Sequence, residues 1–286
     1  MNFLLSYVIL AEIFAIMSIS TNLLVGIIGI FSVSQAALMG IGAYTYALCA
    51  MAGIDFVTAT AIAVLICSAF SILTSLPSLR LAGDYFVVTS FGIQLVATAV
   101  FINWSDVTGG ASGIPAIPPP QQFGFTADLP TEFIYVSTIL LAGVSLIYWL
   151  MIRSTYGRIL HAIRIDETAV AAAGRNVLRA KLGTAALSGA FAALGGALFA
   201  SFLSYADPTS FDIHVSVLIL TMLVVGGART LRGAILGPFV LLAIPQLLTL
   251  VELPSSLLGP ARQFVYGVLL VLFMLLRPQG IAGKRI

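Results

Sequence analysis

The residues able to do chemistry are few: two histidines, His161 and His214, two cysteines, Cys49 and Cys67, and two lysines, Lys181 and Lys284, in 286 residues. Acid–base or nucleophilic catalysis needs a base within hydrogen-bond reach of a nucleophile, with a third group orienting it. Both histidines stand at the edges of polar segments, and neither belongs to a Ser/His/Asp set or a His-x-x-x-His spacing. Both cysteines lie inside apolar runs, which argues against a disulfide framework and against a metal cage. A phosphate-binding loop needs Gly-x-x-x-x-Gly-Lys-Ser/Thr, whereas Lys181 precedes Leu182 and Lys284 precedes Arg285. No catalytic, cofactor or metal site is therefore expected. Glu12 is different, because it falls well inside an apolar run, about 12 Å along a helix beginning at Leu4. A charge near a bilayer centre costs at least about 2.5 to 3.5 kcal/mol on insertion scales. Glu12 is thus a candidate for a transport or gating path, with two alternatives: a polar partner on another helix, or a first helix that starts later. Asn22, Gln35, Gln94 and Gln246 are uncharged polar residues in or beside such runs, suited to line a path or to bond helices together.

The elements that must position these residues follow from composition. Apolar residues make up 60% of the chain and only 24 side chains, 13 basic and 11 acidic, are charged, against about 70 in a soluble domain of this length. That is too few to cover a water-exposed surface. A soluble enzyme and a disordered chain are excluded, and a net charge of +2 offers no basic stripe for nucleic acid. In hydrocarbon every backbone amide must be satisfied within the chain, and a core of about 30 Å takes about 20 apolar residues as helix. The apolar runs at 4–28, 35–51, 56–77, 85–103, 132–151, 182–204, 213–228, 234–251 and 258–276 predict an all-α integral membrane protein. It is a polytopic bundle of about nine segments, with a range of eight to ten. The shorter runs, 35–51 and 213–228, suit either weakly tilted spans or re-entrant helices that stop at mid-membrane.

Basic residues concentrate in loops that stay in the cytoplasm. With the N-terminus outside and the C-terminus inside, twelve of the thirteen fall on the cytoplasmic face, Arg262 being the exception, and most acidic residues fall outside. Met1 and Asn2 carry no basic charge ahead of the first run, unlike a cleaved signal peptide, so the first helix is expected to remain. The chain reads as one membrane domain over 1–286, with an external loop at 104–131 and a cytoplasmic loop at 153–181. Gly109, Gly110, Gly113, Gly124 and five prolines rule out a regular helix through the external loop. It is expected to be a turn-rich cap, either a plain connection or a surface for an external partner.

Lipid gives helices little hydrophobic reason to associate, so small residues at every fourth position bring backbones together. Ala185, Gly189, Ala193, Ala197 and Ser201 form such a face, and Gly233 with Gly237 and Gly26 with Gly29 are weaker instances. In the cytoplasmic loop Asp166 is a suitable N-cap, Glu167 to Ala173 are helix-compatible, and Gly174 can end a helix in the left-handed conformation. A helix of two turns is marginal in water without support. A protein partner is expected to hold it, the alternative being a helix lying on anionic headgroups.

In this loop Gly157-Arg158, Ala162-Ile163-Arg164, Asp166-Glu167, Ala169, Gly174, Asn176-Val177 and Lys181 resemble the cytoplasmic signature of LivM-type permeases, subunits of branched-chain amino acid ABC importers. The likeness extends through Leu79-Arg80-Leu81, Gly83-Asp84-Tyr85-Phe86, Thr108-Gly109-Gly110, Gly113-Ile114-Pro115, Gly226-Gly227, Gly233, Gly237, Pro278, Gly280-Ile281 and Gly283. It is looser near Gly29, Ser32 and Gln35, where Ser34 and Leu38 replace the usual glycine and phenylalanine, and at Ala82, which replaces a basic residue. The resemblance implies an ABC importer permease fold in a bacterial inner membrane. It also implies a coupling helix in which Asp166, Glu167, Ala169, Ala173, Gly174 and Asn176 dock on an ATPase while Arg158 and Arg164 anchor it. The implied partners are a homologous LivH-like permease, two ATPases (LivG-like and LivF-like) carrying ATP and Mg, a periplasmic solute-binding protein and membrane lipid. The implied solute is a branched-chain or other neutral amino acid, with urea or short amides as the alternative. An ion-driven transporter built on a parallel repeat, hinted at by Gly42-Ala43 and Gly196-Ala197, would have only Glu12 to work with at mid-membrane.

Overall fold

The computed structural model describes residues 2–76, 84–122, 125–126, 130–249, 264, 267–268, 271–272 and 280–283. The predicted run 258–276 lies almost wholly outside these, as do Leu79 to Gly83, Pro278, Arg262, Arg277, Lys284, Arg285 and the Gln246 side chain.

Helix α1 (Asn2–Thr21) continues as a π-helical stretch, Asn22–Ile28, ended by Gly29 at φ +84°. Ile9, Ile13, Ile16, Met17, Leu23 and Ile27 are all fully buried. A helix apolar on every side belongs at the centre of a bundle, and α1 packs against α6, α9, α10 and α11. Next come α2 (Gln35–Met51), α3 (Phe56–Ser75), α4 (Asp84–Asn103) and the single turn α5 (Ser105–Thr108). Helix α6 (Pro130–Arg153) precedes the short α7 (Thr155–Ile165) and α8 (Glu167–Ala172), and α9 is Val177–Leu203. Last are α10 (Ile213–Gly226) and α11 (Leu231–Thr249). α4 and α6 are peripheral: Val88, Val96, Tyr135 and Ile139 are 64–70% exposed, as lipid-facing residues should be.

Among the described residues five helices are long and apolar enough to cross a membrane, or six if the bent pair α10–α11 counts as one. The expected nine is not confirmed: the run 258–276 lies almost wholly outside the described residues, and two elements within them bear on the count. α10 and α11 meet at 118°, a bend that suits one broken span or a re-entrant loop. α2 has 17 residues, short for a span. Gln35, at its amino end, bonds Ser188, which lies near the middle of α9. This suits the re-entrant alternative for 35–51. In the non-helical backbone before α2 the polar Ser32 and Ser34 are buried, while the apolar Phe31 is 45% exposed.

The small-residue face of α9 meets α2 and α3. A Cβ on Gly189 would stand 2.7 Å from Cys67 O, Ser71 Oγ donates to Ala185 O at 2.6 Å, Ala193 abuts Gly42, and Tyr46 donates to Ser201 Oγ at 3.4 Å. Ala197 is fully buried. The closest approach was not predicted: a Cβ on Gly196 would stand 2.1 Å from Met39 O. Gly42-Ala43 and Gly196, alike in sequence, therefore touch across the α2–α9 crossing. Gly195 turns the other way, onto Met17 of α1, so α9 packs through two faces where an every-fourth pattern marks one. Gly233 and Gly237 do form a close contact, with Gly226 of α10. Gly26 and Gly29 do not act as a helix-packing pair, because Gly29 terminates the helix and faces Arg164.

The described residues of the segment 104–131 include short regular elements among its turns. Besides α5 it holds a 3-10 turn, the strand β1 (Ile114–Pro115) and the pair β2 (Gln121–Gln122) and β3 (Phe125–Thr126). β1 pairs antiparallel with β4 (Tyr205–Ala206), tying the segment to the end of α9.

Candidate functional site

The predicted helix at the end of the 153–181 loop is present as α8, followed by Ala173 as C-cap and Gly174 at φ +76°. Nothing lies within 4 Å of where a Gly174 Cβ would stand, so backbone conformation rather than space calls for glycine there. Asp166 Oδ1 accepts from Thr168 N at 2.9 Å, Ala169 N at 3.0 Å and Thr168 Oγ1 at 2.6 Å. The Thr168 hydroxyl first, then the Ala169 amide, hold the Asp166 carboxyl below its ordinary pKa. Asp166→Ala should raise amide exchange at Thr168 and Ala169 about fivefold while Asp166→Asn leaves it near wild type, because only the side-chain acceptor caps these donors; hydrogen-exchange mass spectrometry reads this directly.

No residue of α8 is buried, and Val170 alone packs partly inward. Its base is nevertheless tethered. Lys181 Nζ meets Glu167 Oε2 at 2.6 Å, and Asn176 caps α9 by accepting from Arg179 N at 3.0 Å.

Helix α7, which motif reading passed over, carries the connection inward. Its signal was present: Ser154 as N-cap, then Tyr156, Ile159, Leu160 and Ile163 at helical spacing. Leu160 and Ile163 are buried, and Tyr156 donates to Ala180 O at 2.6 Å. Gly157 is needed where it sits, since a Cβ would stand 2.3 Å from Ile152 O. Arg164 donates from Nη1 to Gly26 O in the π-helical stretch. Among the described residues Arg158 donates to its neighbour Thr155 at 3.0 Å. A continuous chain of contacts thus runs from exposed α8 through α7 to the end of the central helix. Burial, followed by the charges of Arg229 and Arg164, lowers the His161 pKa, so this residue is neutral at pH 7.

The four polar path candidates do not converge on one cavity. Each bonds a different set of helices. Glu12, 6% exposed, accepts from Ser137 Oγ at 2.5 Å and Thr138 Oγ1 at 2.8 Å, both on α6. Asn22 donates to Tyr148 Oη at 2.7 Å and to Thr230 O at 3.2 Å, and accepts from Arg229 N at 2.8 Å. Gln35 Nε2 donates to Ser188 Oγ at 3.1 Å, and Ser20 Oγ donates to Ser188 O at 2.7 Å. Gln94 Oε1 accepts from Ala37 N at 2.8 Å and Ser216 Oγ at 3.1 Å, while its amide donates to Phe211 O at 2.8 Å. Ser216 in turn accepts from Ala36 N, so two side chains satisfy the amino end of α2. Glu12→Leu should destabilise the α1–α6 pairing by about 1 kcal/mol, the scale of an interhelical hydrogen bond in a membrane. Glu12→Gln, which keeps an acceptor, should cost less; thermal melting in detergent compares the two.

Among the described residues no group of three or more His, Cys, Asp or Glu could hold a metal. No solved structure matches the chain. Among curated proteins it is 31% identical to the high-affinity branched-chain amino acid transport permease LivM of Escherichia coli, over 95% of this chain and 68% of that one. The LivM of Salmonella typhimurium is 30% identical over 94% and 67%. A probable LivM of Methanocaldococcus jannaschii is 23% identical over 73% and 63%. A family model described as the permease component of branched-chain amino acid transport systems matches residues 3–274, nearly the whole length over which the helices above pack, and the chain belongs to that family.

Proposed function

We propose that this chain is the membrane permease subunit of an ATP-driven importer of branched-chain or other neutral amino acids. It works in a bacterial inner membrane with its N-terminus outside and C-terminus in the cytoplasm. ATP and Mg are held by two separate ATPase subunits, a homologous permease completes the pathway, and a periplasmic binding protein delivers the solute. The observation that carries the reading is α8, which has no buried residue, is capped by Asp166 and is linked through α7 and Arg164 to Gly26. A docked ATPase that displaces α8 pulls on the π-helical end of α1. Such stretches are single-turn irregularities common at functional positions. Ala169 and Ala173 keep the docking face thin, and Glu167, half exposed in its pair with Lys181, would exchange that lysine for a basic residue of the partner. Gln35 and Gln94 hold the joint where α2 begins, and Glu12 and Asn22 the joints of α1 with α6 and with the α10–α11 turn, the contacts that must re-form as the path opens and closes.

Proteoliposomes holding the permease pair, the ATPases and the binding protein test this reading. Leucine uptake should require ATP on the ATPase side and survive collapse of the proton and sodium gradients. Uptake driven by an ion gradient without ATP would overturn it.

A further inference from the structure

A cavity of about 780 Å³ opens between the end of α6, α7 and the α10–α11 turn. Arg153, Arg229 and Arg232 all line it, with His161 beside them. His161 adds no positive charge there, for the reason given above. Among the described residues the one ion pair is Lys181–Glu167, so none of the three guanidiniums has a carboxylate partner there. Three like charges around one space repel unless an anion enters it. Arg229 is also held in place: its backbone sits at φ +76°, a conformation uncommon outside glycine, and its amide is fixed by Asn22 Oδ1 at 2.8 Å. Tyr148, 1% exposed, lines the same cavity; its hydroxyl accepts from Asn22, leaving its own proton with no acceptor among the described residues.

The flanking surfaces point to what the anion is attached to. On α11, Leu236 and Val240 follow Arg232 at intervals of four and are 44% and 41% exposed. On α6, Trp149 lies four residues before Arg153, stacks on its guanidinium at 4.1 Å and is 42% exposed, and Leu146, one turn further, is 56% exposed. Arg153 and Arg232 thus each cap an exposed apolar stripe leading away from the cavity, with a tryptophan at the boundary on α6, the arrangement expected at headgroup level. A free phosphate would use the arginines but not the stripes.

We infer that this cavity is a binding site for the phosphate of an anionic phospholipid, held by Arg153, Arg229 and Arg232 with acyl chains along α6 and α11. Lipid binding by the full chain in detergent micelles tests it, with phosphatidylglycerol, phosphatidylcholine and inorganic phosphate as probes and native mass spectrometry as readout. Wild type should prefer phosphatidylglycerol, and Arg153→Gln with Arg232→Gln should weaken that binding about 30-fold. The charge-matched Arg175→Gln with Arg179→Gln, away from the cavity, should leave it unchanged. No preference over phosphatidylcholine in wild type would overturn the site without reference to any variant, as would equal losses in both double variants. Displacement by millimolar inorganic phosphate would reassign the cavity to a soluble anion, and displacement by added ATPase subunits would reassign it to a protein contact; either rejects the lipid.

Discussion

Changing Glu167 and Ala169 together to arginine should lower ATP-driven uptake at least tenfold while the protein still inserts and the ATPases still turn over. Both positions are exposed on a helix with no buried residue, so two longer side chains meet no steric conflict within the chain. The effect would arise at the partner, where a like-charge juxtaposition costs several kcal/mol and about 1.4 kcal/mol is a factor of ten. The Lys181–Glu167 pair provides the control. Glu167 is 52% exposed and the Lys181 side chain 13%; glutamine keeps an acceptor for Lys181, so Glu167→Gln alone should change uptake little. Unchanged uptake in the double variant would reject docking at α8. A collapse in Glu167→Gln alone would show instead that the tether to α9 is what matters.

The second large effect is expected deep in the bundle. Gly196→Val should abolish folded yield, and Gly196→Ala should already lower it, because the first added carbon would stand 2.1 Å from Met39 O and 2.8 Å from Ala43 N. Both are backbone atoms, so relief requires moving α2 away from α9. Overpacking of this kind costs about 1 to 3 kcal/mol and sometimes more. Gly143, on peripheral α6, has nothing within 4 Å of its would-be Cβ. Gly143→Ala should be neutral or slightly stabilising, since alanine is favoured over glycine in a helix by up to about 1 kcal/mol. Fluorescence-detected gel filtration of the variants compares them. Equal tolerance at both glycines would mean that α2 and α9 do not cross as closely as described.

Helix extents were readable wherever lipid and the apolar core impose the same demand, a long apolar run free of charge. The run 35–51 coincides with α2, and 56–77 and 85–103 fall within a few residues of α3 and α4. The α8 cap was equally local: Asp166 and Gly174 act within three residues and one turn of themselves. The count of crossings was not readable, because a hydropathy run specifies helix and burial but not which face of the membrane its ends reach. α2 begins beside the middle of α9 because Gln94 and Ser216, distant in sequence, supply acceptors for its first amides. α10 and α11 read as two spans, yet Gly226, Gly233 and Gly237 let them fold against one another at a sharp bend.

By itself the sequence determined the class of environment, the long helices among the described residues and the position of the short capped helix, since these depend on composition and on contacts within a turn or two. Only the tertiary structure decided that Glu12, Asn22, Gln35 and Gln94 serve separate joints rather than one line, that Gly196 makes the closest α2–α9 contact, and that Arg153 and the distant pair Arg229 and Arg232 line one cavity. Those outcomes depend on which surfaces meet, and an interhelical hydrogen bond or a glycine contact takes its partner from any helix that packing brings near.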